Sequence, residues 1–275
     1  MPLRKVGDIK IYYEIHGNGE PLVMISGCAA NLSAWANQVP ALSLEYHVIT
    51  LDNRGTGRSD KPDVPYTMQM MATDVAGLLD SIGIGAAHIL GYSMGGAIAQ
   101  EFALTYPERT LTLILSCASP AGAPDVILPG PQAMALMFDP ETITRMTPLD
   151  WSGKLLACMC SREFLDSHPQ LVNEVVARQN EHPTPLHCIM RQVEAMLTAR
   201  TYDRLSKIKA PTLVLGGTAD RISPCENLRL LASKIPNSEL VILENLGHGM
   251  FIEGAEQTNR VILTFLKRHS LGQIL

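Results

Sequence analysis

The stretch that most constrains this chain is AHILGYSMGGAIAQEFALTY, residues 87–106. An apolar run of strand character ends at Gly91, and a helical pattern rich in small residues starts directly after Ser93. A strand that passes into a helix through so few residues must turn sharply. Gly91-Tyr92-Ser93-Met94-Gly95 is a G-x-S-x-G pattern, in which the serine takes a strained backbone conformation and the flanking glycines omit Cβ atoms that would crowd it. Gly95, Gly96, Ala97 and Ala99 let the helix lie close to its sheet, with its N-terminal amides and positive dipole end facing the serine oxygen. Such a turn can hold a developing oxyanion. The pattern also arises by chance in glycine-containing turns, so its weight comes from its place between strand and helix.

A chain of 275 residues can bury the core of one large α/β domain with an inserted subdomain, without metal or disulfide. A net charge of -5 leaves no basic surface to follow a phosphate backbone, so nucleic acid is not an expected partner. No uninterrupted apolar run reaches membrane-spanning length, and MPLRKVGDIKIYYEIHG lacks the apolar core of a signal peptide. The expectation is a soluble, cytoplasmic protein with no membrane partner; homodimerisation is left open. The six cysteines, Cys28, Cys117, Cys158, Cys160, Cys188 and Cys225, form no C-x-x-C pair, which argues against a zinc ribbon or a thioredoxin-type site and for reduced thiols. The glycine-rich loop Asn53–Ser59 has neither a P-loop lysine nor G-x-G-x-x-G spacing. No metal or cofactor is therefore expected.

In chain order, residues 3–16 alternate and end in the turn signal His16-Gly17-Asn18-Gly19, which predicts an antiparallel strand pair. Continuous apolar runs at 21–27 and 47–52 predict buried strands, the first covered on both faces, and further strands are predicted at 110–117, 211–217 and 239–245. Helical spacing marks 67–82, a segment near 224–235 and a last helix to about Arg268. Between Pro120 and Lys209 strand-like runs vanish, and helices are predicted at 131–138, 140–146, 150–160, 162–181 and 184–200. The division is thus a core in two parts, 1–120 and 210–275, with a helical cap at 121–209.

A serine hydroxyl is a weak nucleophile at neutral pH, so Ser93 implies a histidine to take its proton and a carboxylate to orient that histidine. Asp220 follows the 211–217 strand and His248 follows the 239–245 strand, both at carboxyl ends of strands and so on the same sheet edge as Ser93. Taken singly, Asp220 could cap the helix that begins near Pro224, and His248 could be any of 8 histidines; order and placement together select them. Asp125, after the 110–117 strand, is the other acid placed to serve, with a solvated role preferred. The backbone amides of Met94 and Cys28 are the expected oxyanion donors, and the Cys28 thiol is read as pocket wall. With aromatics at 5% and 13 methionines, the substrate pocket is expected to be apolar and adaptable, lined by Tyr92, Met250, Trp35, Met134, Met137, Met159 and Met190. An anionic substrate would call instead for an arginine such as Arg191 or Arg162.

These residues make the chain resemble the α/β-hydrolase superfamily over nearly its whole length, including the order serine, acid, histidine. Asp52-Asn53-Arg54-Gly55-Thr56-Gly57-Arg58-Ser59 is similar to that family's D-x-R-G-x-G-x-S turn, and Pro107-Glu108-Arg109 to its exit from the elbow helix. Arg191-Gln192 and PTLVLGGTAD resemble the 3-oxoadipate enol-lactonases and the bacterial carboxylesterases (methylesterase-like) grouped with them. Ser26-Gly27 stands where many members carry His-Gly. The resemblance implies an α/β-hydrolase fold, with a mostly parallel eight-stranded sheet flanked by helices and an inserted helical cap. It also implies a serine hydrolase that cleaves a small-molecule ester or lactone through an acyl-enzyme. Three alternatives remain open: a receptor-type protein with little turnover, a carbon-carbon bond hydrolase sharing the Ser-Met-Gly-Gly run, and a cofactor-free perhydrolase.

Overall fold

Strands buried on both faces should alternate their side chains between two cores, and those of this chain do. In the computed structural model, which describes residues 2–270, Val23 and Ile25 join one apolar cluster while Leu22 and Met24 join another. Leu113 and Leu115 likewise part company with Ile114, as Val214 does with Leu213 and Leu215. The sheet that separates the two cores has eight strands: β1 Leu3–Val6, β2 Ile9–His16, β3 Glu20–Ile25, β4 Tyr46–Leu51, β5 Ala87–Tyr92, β6 Thr110–Ser116, β7 Thr212–Gly217 and β8 Ser238–Leu243. Their spatial order is β1-β2-β4-β3-β5-β6-β7-β8. Only the β1/β2 and β2/β4 pairings are antiparallel.

The helices divide between the faces and the segment joining β6 to β7. Among the core helices are α1 Val39–Leu42, α2 Met68–Ser81 and α3 Met94–Thr105. The joining segment contributes α4 Pro131–Phe138, α5 Pro140–Thr144, α6 Pro148–Met159, α7 Arg162–Ser167, α8 Pro169–Asn180 and α9 Leu186–Thr198. Three more follow: α10 Cys225–Lys234, α11 Met250–Glu253 and α12 Ala255–Arg268. Buried residues of α2, α3 and α10 share the cluster of Val23, whereas those of α1, α11 and α12 share the cluster of Leu22. No helix among the described residues is long and apolar enough to cross a membrane.

The single helix predicted over 162–181 is in fact two, α7 and α8. His168 takes φ -129, ψ 48 between them, and Pro169 occupies the first turn of α8. Proline lacks the N–H that would continue α7, its ring clashes with the carbonyl four residues back, and it disfavours helical ψ in the residue before it. The short helix α11 is a further element that the apolar spacing does not reveal.

His88 lies within β5, fully buried, with Nδ1 2.8 Å from Thr112 Oγ1 on β6 and Nε2 2.9 Å from Glu20 Oε2 on β3. Burial is the larger influence and lowers its pKa from 6.5, against the opposing pull of Glu20. A histidine kept neutral in the fold takes up protons more readily when unfolded, so its stability contribution is complete above about pH 6.5 and is lost as pH falls through the lower folded value. Thermal unfolding of the wild type and His88→Gln should therefore show a difference in melting temperature that shrinks from pH 8 to pH 5. A difference constant across that range would contradict this account.

Candidate active site

Ser93 joins β5 to α3 at φ 56, ψ -119, a conformation that side-chain-bearing residues avoid and that costs on the order of 1–3 kcal/mol. Its neighbours impose it. A Cβ on Gly91 would lie 2.2 Å from the Gly95 carbonyl oxygen, and one on Gly95 would lie 2.1 Å from that of Ile25. The Ser93 N–H donates to Ser116 O at 2.9 Å, and Gly96 N–H donates to Ser93 O at 2.9 Å, which closes the turn.

Ser93 follows β5, Asp220 follows β7 and His248 follows β8, so parallel strands deliver all three to one edge. His248 Nε2 lies 3.0 Å from Ser93 Oγ, and Nδ1 lies 2.8 Å from Asp220 Oδ2. The network assigns the tautomer: Nδ1–H donates to the carboxylate, which leaves Nε2 to accept from the serine hydroxyl. Asp220 Oδ1 accepts from the amides of Ile222 and Ser223, each at 2.8 Å, so the carboxylate is fixed by its own loop. Helix α10 is not capped by this side chain; its N-cap residue is Pro224. Asp125 is exposed, and the Nδ1 position it would have to occupy is taken by Asp220.

The histidine loop is braced on three sides. Tyr92 OH donates to His248 O at 2.9 Å from beneath. Gly249 N–H donates to Met159 O at 2.9 Å, at the end of α6. Glu253 then accepts from Gly247 N–H at 2.5 Å and from Ser161 N–H at 2.9 Å, linking this loop to the helical segment above it.

The loop after β3 lies against the serine: a Cβ on Gly27 would be 3.2 Å from Ser93 Cβ. Cys28 comes next, and Met94 opens α3 on the other side. Among the described residues neither of their amides donates to a protein acceptor. The Cys28 thiol is pushed up to about 12 by burial, which keeps it protonated and a poor nucleophile. Asp52 secures this loop from below, accepting from Leu32 N–H at 2.7 Å and Arg58 N–H at 2.8 Å. Its role, like that of Ser59, which donates to Asp52 O at 2.6 Å and accepts from Tyr12 N–H at 2.8 Å, is to hold turns together. Arg54 forms a buried pair with Asp74, Nε to Oδ2 at 2.6 Å.

Two cavities meet at Ser93 and His248. The first, about 140 Å³, runs between the Gly27–Trp35 loop and helices α6 and α8, with Trp151, Leu155 and Ile189 in its wall. The second, about 410 Å³, opens between α3, the loop after β6 and the end of α9. Trp35, Tyr92 and Met159 line the first cavity and Met137 lines both. Met250, Met134 and Met190 line neither, which departs from the sequence expectation. Met250 is fully buried because α11 turns it into the core, where its sulfur lies 3.3 Å from Cys117 Sγ. Met190 packs, partly buried, against the cluster that includes Ile189 and Val193, and Met134 lies half-buried on α4. Arg191 pairs with Asp63 at 3.1 Å and Arg162 with Asp166 at 2.9 Å, and neither lines either of these two cavities.

Cys117, Asp220 and His248 offer potential metal-ligand atoms within 4.8 Å of one another. The donor set suits a metal poorly, because a thiol ligand must be deprotonated and burial raises that of Cys117 well above its ordinary value. Sequence reasoning did not single out Gln179, Thr184 or Glu253, nor Trp151 in the cavity wall. Gln179 and Thr184 donate to Ala29 O in the loop after β3, Glu253 accepts from Ser161 N–H, and Trp151 donates from α6 to Leu136 O on α4; no local pattern signals such roles.

A family model described as the alpha/beta hydrolase fold matches residues 20–255. A poly(3-hydroxyalkanoate) depolymerase of Ectopseudomonas oleovorans is 33% identical, over 90% of this chain and 84% of its own. A 2-hydroxy-6-oxononadienedioate/2-hydroxy-6-oxononatrienedioate hydrolase of Burkholderia vietnamiensis is 32% identical, over 95% of this chain and 92% of its own. Among solved structures, the enol-lactonase of Burkholderia xenovorans superposes with a TM-score of 0.83 at 26% identity, covering 97% of this chain and all of that one (100%). The chain belongs to the α/β-hydrolase family.

Proposed function

We propose that this protein hydrolyses a carboxylic ester or lactone through an acyl-enzyme on Ser93. The observation that carries the reading is the unbroken chain from Ser93 Oγ through His248 to Asp220, at 3.0 and 2.8 Å. Ser93 Oγ attacks the acyl carbon while its proton passes to His248 Nε2, and the carbonyl electron pair moves onto oxygen. The amides of Met94 and Cys28 receive that oxyanion, and Asp220 stabilises the imidazolium. When the intermediate collapses, His248 returns the proton to the departing alcohol oxygen. A water molecule, deprotonated by the same nitrogen, then releases the acid and restores Ser93.

The cavities favour a neutral, mainly apolar substrate. Among the described residues no Lys or Arg lines the first cavity, and only Arg200 lines the second. A poly(3-hydroxyalkanoate), the polymer named for one relative, is a neutral polyester, whereas the dienedioate named for another carries two carboxylates. The first chemistry suits the wall of the first cavity better, because a carboxylate desolvated there without a cation costs several kcal/mol.

A p-nitrophenyl ester of short to medium acyl length should give many turnovers per protein, on the order of 1 to 10³ per second with a preferred substrate. A single stoichiometric burst followed by silence would indicate a ligand-holding protein instead. Asp220→Asn should lower kcat by roughly 10⁴, by setting the wrong imidazole tautomer, with Asp125→Asn near wild type. The reverse pattern would move the acid to Asp125. Esters whose acyl group ends in a carboxylate should have kcat/KM at least about tenfold below their neutral counterparts. An obligatory requirement for that carboxylate would rule out the neutral-substrate reading.

A further inference from the structure

The residue after Cys28 is held in an unusual way. Ala29 has φ 58, in the left-handed region that a side-chain-bearing residue occupies only when its surroundings compel it. Both of its backbone polar groups are bound by side chains from the segment between β6 and β7. Its N–H donates to Gln192 Oε1 at 2.8 Å. Its carbonyl accepts from Gln179 Nε2 at 2.8 Å and from the Thr184 hydroxyl at 2.9 Å.

Gln192 sits on α9 among the buried residues Cys188, Ile189, Val193 and Ala195 and is itself fully buried. An amide in such a place has no packing advantage over an apolar side chain and is tolerated only when its polar ends are satisfied. Here they are: the oxygen holds Ala29, and Nε2 donates to Arg54 O at 3.0 Å in the loop after β4. One side chain therefore spans two core loops from a helix that belongs to neither.

The geometry points to Gln192 as a positioning residue for the oxyanion hole. By fixing the peptide between Cys28 and Ala29, it fixes the adjoining peptide that carries the Cys28 N–H beside Ser93. Gln179 and Thr184 hold the far side of Ala29 in the same way, so the hole is complete only while the helical segment is docked on these loops. This inference rests on the acyl-transfer reading of Ser93, with Cys28 N–H as one oxyanion donor.

The test compares Gln192→Met, which conserves length and volume, with the wild type. Deleting an oxyanion donor outright costs about 10² to 10³ in kcat; displacing one should cost about 10- to 100-fold, with KM for the p-nitrophenyl ester within about threefold of the wild type. A trifluoromethyl ketone, which adds Ser93 Oγ and leaves an oxyanion in the hole, should bind more weakly by a similar factor. Thr184→Val, a half-buried and nearly isosteric change, should give a smaller parallel loss of about two- to fivefold in both readouts, and decides the matter alone should Gln192→Met fail to fold. Wild-type kcat and ketone affinity, or a loss confined to KM, would overturn the role of Gln192. Ester hydrolysis that survives Ser93→Ala would instead remove the acyl-transfer reading beneath it.

Discussion

The structure depends on the close approach of α3 to β5 and β3. Gly91 and Gly95 bring backbone within a distance no Cβ would permit, and Ser93 is thereby driven to φ 56. The strain of that residue is offset by what lies behind it. Ile98, Ala99 and Phe102 of α3 are fully buried against the sheet, and each large apolar side chain so buried contributes about 1.5–3 kcal/mol. The serine hydroxyl is thus presented by a rigid element, and neither its reach nor its direction depends on a mobile loop.

The other site groups are brought in by loops from separate parts of the chain, and each loop has its own restraint. Asp220 is fixed by the amides of its own turn, the His248 loop by Tyr92 and Glu253, and the Cys28 loop by Asp52 and Gln192. Several of these restraints cross from the sheet edge to α6, α8 or α9. The helical segment therefore does more than wall the cavities; it supplies hydrogen bonds that hold the histidine and Cys28 loops in place.

Much of this was legible in the sequence because it rests on local chemistry. Continuous apolar runs, turn residues and the G-x-S-x-G spacing act over a few residues, and they located the parallel strands and the loops that carry Ser93, Asp220 and His248. The break at Pro169 was also locally encoded, but helical spacing on both sides of it suggested one helix. Other features depend on tertiary placement alone. Met250 and Met159 are chemically alike, yet α11 turns one into the core while the end of α6 leaves the other in the cavity wall. Gln192 reads as an ordinary helix residue, since its partners Ala29 and Arg54 lie 163 and 138 residues away.

The central claim is that Ser93 is the nucleophile of an acyl-transfer site, and covalent capture tests it most directly. A fluorophosphonate requires an activated oxygen nucleophile with a proton acceptor and an oxyanion hole, which an ordinary turn serine lacks. Peptide mapping by mass spectrometry after reaction with such a probe should find one stoichiometric adduct, on the peptide containing Ser93. An adduct on Cys28 with Ser93 unmodified, or no adduct on intact folded protein, would contradict the account.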